Sequence, residues 1–351
     1  MNWPKQKWLL APLLPFAWLY RGVVAWRNFA YKKKLFAITR VPAKVVSLGN
    51  LSAGGSGKTP TTAFLANALT ERGLKVAIVA RGYGRAHLGD CIVSDGHTVL
   101  AEIHEAGDEP LLLAQQCPGA VVVVAESKTR AAQIAAERFQ PSYILVDDGF
   151  QHRRLHRDLD LLLISARMLV QKPWLLPAGP LREPLCNARR AHKILLTELH
   201  ALKSEERHAV FNTLHRYTTA SILPLDFVGE NIRPLFEGKT LATVQTQQAT
   251  AFLASGIAVP ERFRQTAEAA GVRVREHVVY RDHHNYTAQD VDALAVKFQN
   301  SRADFLLTTA KDAVKLRSFA RLQVLPIYVL ELRLFAEATV AAELLEAVLA
   351  S

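Results

Sequence analysis

Short, nearly unbroken apolar runs alternate along this chain with longer segments in which apolar residues return every three or four positions. Strands buried on both faces and joined by helices give that pattern, as in a mostly parallel α/β sheet. Strands are predicted over 45–48, 76–79, 121–124, 143–146, 161–164 and 194–197, with a helix over 59–72 ended by Gly73. The pattern weakens over 215–240, where Pro224, Gly229, Pro234 and Gly238 punctuate it. A second α/β unit then follows, with strands over 240–244, 272–280, 305–309 and 326–330 and helices over 260–270 and 336–349. Thr287 caps a further helix, and Asp290 three residues on makes an acidic form of the capping box.

The N-terminus follows a different pattern. Residues 8–31 are apolar and tryptophan-rich, and Lys32, Lys33 and Lys34 follow. A membrane span needs about 20 uninterrupted apolar residues, and Pro12, Pro15, Arg21 and Arg27 interrupt this one. A secretory signal would need a small-residue cleavage site, and none is evident. From Phe16 onward, Leu19, Val23, Trp26 and Ala30 fall on one helical face, and Arg21, Asn28 and Lys32 on another. Four of the five tryptophans (Trp3, Trp8, Trp18 and Trp26) lie here, which favours a helix in the lipid headgroup layer. A helix packed on its own domain is the alternative.

With 351 residues, half of them hydrophobic, the chain can bury two cores and is neither disordered nor a multi-span membrane protein. A net charge of +11 favours an acidic partner, whether nucleic acid, anionic lipid or a phosphorylated substrate. Cys91, Cys117 and Cys186 are scattered, without metal-ligand spacing, as suits a reducing compartment.

The chemistry starts at 45–60, VVSLGNLSAGGSGKTP. A strand leads into a glycine-rich loop and then a helix, so that backbone N–H groups and a helix N-terminus converge on a phosphate chain. Ser52 stands where the G-x-x-x-x-G-K-S/T pattern has its first glycine. Ser52, Ala53, Gly54, Gly55, Ser56, Gly57, Lys58 and Thr59 are the expected nucleotide-binding residues, with Lys58 at the β/γ-phosphates and Thr59 on Mg²⁺. The expected fold is therefore a P-loop NTPase-type α/β sheet over 35–222, a smaller α/β domain over 223–351, and an N-terminal interfacial helix within 1–34.

Other candidates carry two readings each. Asp147 and Asp148 end an apolar strand and either hold Mg²⁺ or make a turn. Asp108 in GDEP either starts a helix or accepts a hydroxyl proton near the transferred phosphate. Arg182 is presented by a proline-framed loop to a phosphate or to a surface acid. His283 and His284 suggest metal but lack further ligands at zinc spacing, and a histidine at a domain cleft could instead tune a carboxylate or donate to a phosphate. His152-Arg153-Arg154-Leu155-His156-Arg157 is a solvated basic loop or faces acidic lipid. Rival classes fit less well. A partitioning ATPase wants lysine where Ala53 stands, and Thr309-Ala310-Lys311-Asp312 has its lysine misplaced for a guanine motif.

The ordered set GNLSAGGSGKTP (49–60), RGYGR (81–85), GDEP (107–110), VDDGFQHRRL (146–155), LPAGPLREP (176–184) and RDHHNYT (281–287) resembles the tetraacyldisaccharide 4'-kinase family of Gram-negative bacteria. Val259 and Ala310 stand where that family suggests asparagine and glutamate. The resemblance implies ATP- and Mg²⁺-dependent phosphorylation of the 4'-hydroxyl of an acylated glucosamine disaccharide 1-phosphate. It also implies a monomer on the anionic cytoplasmic face of the inner membrane, with no nucleic-acid partner. It makes Lys58 the phosphate-loop lysine, Asp108 the general base, His283 the histidine paired with it and Arg182 a phosphate-contacting arginine. Thr59, Asp147 and Asp148 become the metal-site residues.

Overall fold

The computed structural model describes residues 7–82, 85, 89–171, 173–236 and 249–351. The first sheet is built from β1 (Lys44–Asn50), β2 (Val76–Ala80), β3 (Cys91–Asp95), β4 (Ala120–Val124), β5 (Tyr143–Val146), β6 (Leu159–Ser165), β7 (Lys193–Thr197) and β8 (Ser221–Pro224). The second contains β9 (Asp226–Pro234), β10 (Thr250–Ser255), β11 (Arg273–Val279), β12 (Phe305–Thr309) and β13 (Ile327–Phe335). Their orders are β3-β4-β2-β5-β1-β6-β7-β8 and β11-β10-β12-β13-β9. Neighbours run parallel except β3 against β4 and β9 against β13.

Each predicted apolar run within the described residues forms a parallel strand, because helices cover both faces of the sheets. β3, β8, β9 and β10 are additions to the sequence reading. β3, β8 and β9 are edge strands of mixed burial without a continuous apolar run, whereas β10 is a buried inner strand whose short run, Ala251–Ala254, follows directly on a polar stretch. The strand expected over 240–244 lies outside the described residues, as do Tyr83 and Gly84 of RGYGR. The chain leaves the first sheet at Pro224 and enters the second at Asp226. The helix Ala338–Leu349 returns to the first sheet, burying Leu344 and Val348 and joining Glu343 to Lys193 at 2.7 Å.

The N-terminal helix, Leu14–Lys32, has one packed side and one exposed side. One side packs on the body of the protein: Ala17, Val24 and Ala30 are buried, and Arg27 reaches Glu183 at 2.7 Å. The other side leaves Phe16, Trp18, Leu19, Val23, Trp26 and Phe29 more than half exposed. Two faces need correcting. Ala30 is an interior contact, and Asn28 faces inward to accept from Arg153 and Arg190. No described helix is long and apolar enough to cross a membrane.

Candidate active site

β1 lies between β5 and β6, so the loop after β1 and the acidic turn after β5 emerge side by side. Ser47 is in register with Val146, which puts Asp147 directly beside the strand that feeds the loop. In open parallel sheets, ligands are received at such strand ends. Backbone conformation shapes the loop: Gly54 (φ 122°) and Gly57 (φ 87°) are left-handed. A Cβ on Gly57 would also stand 2.0 Å from the Phe227 ring.

Buried Asn50 braces the loop from below, donating to Ser56 Oγ at 2.9 Å and Gly54 O at 3.3 Å. Ser52 pairs with Leu181, and the Ala53 N–H donates to Pro180 O at 2.7 Å. That amide is committed to the neighbouring loop. No described carbonyl accepts from the amides of Gly55, Ser56 or Gly57. The first amides of the helix Lys58–Thr70 have no intrahelical acceptor either. Together these make an anion-directed cluster of donors.

Asp147 is buried and accepts from Thr62 Oγ1 at 3.2 Å. Burial, reinforced by the charge of Glu109, pushes its carboxyl up to about 6. Asp148 has a left-handed backbone (φ 52°) and faces three cations. Lys58 Nζ lies 3.4 Å from its carboxylate, Arg182 binds both its oxygens, and Lys128 Nζ bonds its backbone carbonyl. Burial would raise the Asp148 carboxyl, but Lys58 and the Arg182 hydrogen bonds outweigh it and hold the group well below the usual carboxylate range. The Thr59 hydroxyl and two carboxylates are hard oxygen donors. That set fits Mg²⁺, which keeps several waters and takes its remaining ligands from substrate phosphates.

The Arg182 guanidinium is occupied by Asp148 and by Asn50 Oδ1. The structure thus places it one side chain away from the phosphate loop, on the acid that Lys58 also touches.

Asp108 begins a helix, as its first reading has it, and its carboxylate makes further contacts. Its backbone begins the helix Asp108–Gln116 after Gly107 (φ 85°), while its carboxylate leaves the helix for the second unit. Asp108 Oδ2 lies 2.9 Å from His283 Nδ1 and 3.3 Å from Lys315 Nζ. Burial tends to raise this carboxyl, but the His283 hydrogen bond and the nearby Lys311, His283 and Lys315 hold it at about 2. His284 plays a separate role: it stacks on Tyr280 and meets the capping Asp290 at 3.1 Å.

Sequence reasoning missed Asn50, Lys128, Lys311 and Lys315. Lys311 sat in the segment tested against a guanine motif, and its i, i+4 spacing to Lys315 on the helix Ala310–Leu316 was the available signal.

The family model described as tetraacyldisaccharide-1-P 4'-kinase matches residues 8–350. The tetraacyldisaccharide 4'-kinase of Bdellovibrio bacteriovorus is 37% identical over 307 residues, covering 88% of this chain and 89% of its own. That of Chlorobium limicola is 38% identical over 331 residues, covering 92% and 93%. Among solved structures, the "apo" form of LpxK from Aquifex aeolicus in complex with ATP superposes with a TM-score of 0.77. It shares 31% identity and covers 97% of this chain and 98% of its own. A match along nearly the whole length, on a fold that joins the phosphate loop to the Asp108–His283 pair, establishes that this chain belongs to the tetraacyldisaccharide 4'-kinase family of lipid A biosynthesis.

Proposed function

We propose that the γ-phosphoryl group of ATP is transferred here to the 4'-hydroxyl of a tetraacylated glucosamine disaccharide 1-phosphate, with Asp108 receiving the hydroxyl proton. The observation that carries this reading is the 2.9 Å contact between Asp108 Oδ2 and His283 Nδ1, which joins the helix Asp108–Gln116 of the first unit to the loop after β11 in the second. The O4'–P bond forms as the bond from the γ-phosphorus to its bridging oxygen breaks. The bond electrons leave with ADP, and the proton goes to Asp108. The bond to the leaving oxygen is largely broken in the transition state, so a carboxylate held at about 2 serves by orienting the hydroxyl and taking its proton late.

The amides of the loop and Lys58 would grip the phosphates. Thr59, Asp147 and Asp148 would hold Mg²⁺, which neutralises charge on the β- and γ-phosphates. ATP bound to the Aquifex aeolicus relative supports the nucleotide assignment. Ala258 and Arg262 of the second unit approach Gly54 and Gly55, with Arg262 Nη1 donating to Gly55 O at 3.2 Å, so the two units enclose the loop.

The lipid substrate sets the location. Each acyl CH₂ exposed to water costs about 0.8 kcal/mol, so the enzyme must come to the bilayer. The exposed Trp18 and Trp26 face, beside Lys32, Lys33 and Lys34, suits docking on the anionic cytoplasmic face of the inner membrane. Transfer of ³²P from γ-labelled ATP to tetraacyldisaccharide 1-phosphate in detergent micelles tests the reaction, and folded protein giving no labelled lipid rejects it. Asp108→Ala is expected to cut kcat by about 10²- to 10⁴-fold with ATP affinity retained. A kcat close to the parent's would remove Asp108 as base.

A further inference from the structure

The helix Ala310–Leu316 sends two lysines, one turn apart, to opposite ends of the Asp108–His283 pair. Lys315 Nζ lies 3.3 Å from Asp108 Oδ2 and donates to His284 O at 3.0 Å. Lys311 Nζ lies 3.0 Å from His283 Nε2, 3.1 Å from Glu109 Oε1 and 3.8 Å from Asp282 Oδ1. Among the described residues, the charged groups around His283 include Asp108 and Glu109 on one helix, Asp282 on its own loop, and Lys311 and Lys315 on another helix. Lys311 thus pairs with a carboxylate of the first unit, on Glu109, as well as with Asp282 of its own.

Hydrogen-bond chemistry orders these contacts. An ammonium has three donors and no acceptor. Burial favours the neutral amine of Lys311, but Glu109, Asp108 and Asp282 outweigh it and keep the group protonated. A ring nitrogen 3.0 Å from that ammonium must accept, so Nε2 carries the lone pair and Nδ1 the proton. That proton then points at Asp108 Oδ2. The other tautomer would set two donors against each other at one end and two acceptors at the other.

We propose that Lys311 is a positioning residue for phosphoryl transfer: it fixes His283 as the Nδ1–H tautomer and ties the second sheet's histidine to Glu109 of the first, so that Asp108 meets the acceptor hydroxyl as an aligned carboxylate. This rests on Asp108 as the proton acceptor. Its core, the Lys311-set tautomer, is measurable without turnover.

The test uses the full chain labelled with ¹⁵N-histidine, the His283 signals being assigned by comparison with His283→Asn. In the parent, ¹⁵N shifts should report a protonated Nδ1. Lys311→Met should shift that population toward Nε2–H and lower kcat by roughly 10- to 100-fold, with KM for ATP within about threefold of the parent. Lys311→Arg, also a charged pure donor, should recover the tautomer and part of kcat. An Nε2–H parent overturns the proposal, even if the methionine variant does not fold. So does a folded Lys311→Met with parental kcat, a low kcat with the tautomer unchanged, or no rescue by arginine. Undiminished turnover by Asp108→Ala rejects the base assignment instead and leaves the tautomer result standing.

Discussion

Arg182 holds Asp148 with both arms of its guanidinium, Nη1 to Oδ2 and Nη2 to Oδ1, each at 2.9 Å. The same carboxylate receives Lys58, and the same guanidinium reaches Asn50 at the end of β1. One arginine therefore registers the acidic turn after β5 against the strand that feeds the phosphate loop. Its own backbone is anchored from outside, because Tyr20 Oη of the N-terminal helix donates to Arg182 O at 2.8 Å.

Arg182→Lys separates charge from geometry. Lysine keeps the positive charge but has no planar fork, so it cannot hold both carboxylate oxygens and Asn50 together. Misplacement of about 1 Å at a reacting centre can cost roughly 100-fold in rate. A loss of that order in kcat/KM is expected in the micelle assay, with an unchanged circular dichroism spectrum. Parental kcat/KM would show that charge alone suffices at this position.

What could be read in the sequence follows from how local each signal is. The phosphate loop was legible because its glycines, Lys58 and Thr59 are contiguous, and the parallel strands because burial on both faces leaves unbroken apolar runs. β3, β8 and β9 were not, since half-exposed edge strands carry no such run, and neither was β10, whose buried run is short and follows a polar stretch. The helix start at Asp108 is a local property, whereas its bond to His283 joins residues 175 positions apart. Only the resemblance to a family paired them beforehand. The i, i+4 spacing of Lys311 and Lys315 shows only that they share a helix face; their meaning comes from the packing of that helix on the helix Asp108–Gln116, which joins Lys311 to Glu109, 202 positions away.

Glu183 tests the anchor of the N-terminal helix. Its carboxylate is fully buried and receives Arg27 at 2.7 Å, Arg190 at 2.8 Å and Asn187 at 2.7 Å. Removing one partner of a buried ionic cluster leaves the others uncompensated, at a cost of about 3–5 kcal/mol. Glu183→Ala should lower the urea midpoint of the first unfolding step accordingly. An unshifted midpoint would mean that solvent replaces the lost carboxylate.

The outward face of the helix Leu14–Lys32 makes the opposite prediction. Trp18 and Trp26 are 71% and 62% exposed, so replacing both with glutamate removes little from the folded core. Flotation with anionic liposomes should fall sharply while the thermal midpoint stays within a few degrees. Flotation that persists in the double variant would place the membrane contact elsewhere.

Asp108 also links stability to pH. Its carboxyl is held at about 2 in the folded chain against an ordinary 3.8. Between those values the unfolded chain binds the extra proton, so stability falls as pH drops. The contribution is complete above about pH 4 and disappears as pH passes below about 2. A difference of nearly two pH units corresponds to about 2 kcal/mol. Asp108→Asn has no carboxyl to titrate, so its unfolding free energy should decline less steeply than the parent's between about pH 4 and pH 2. Urea titrations of both proteins across that window measure the difference. Parallel slopes would mean that Lys315 and His283 do not stabilise the Asp108 carboxylate in solution, and the argument for an aligned, ionised acceptor of the hydroxyl proton would lose its electrostatic basis.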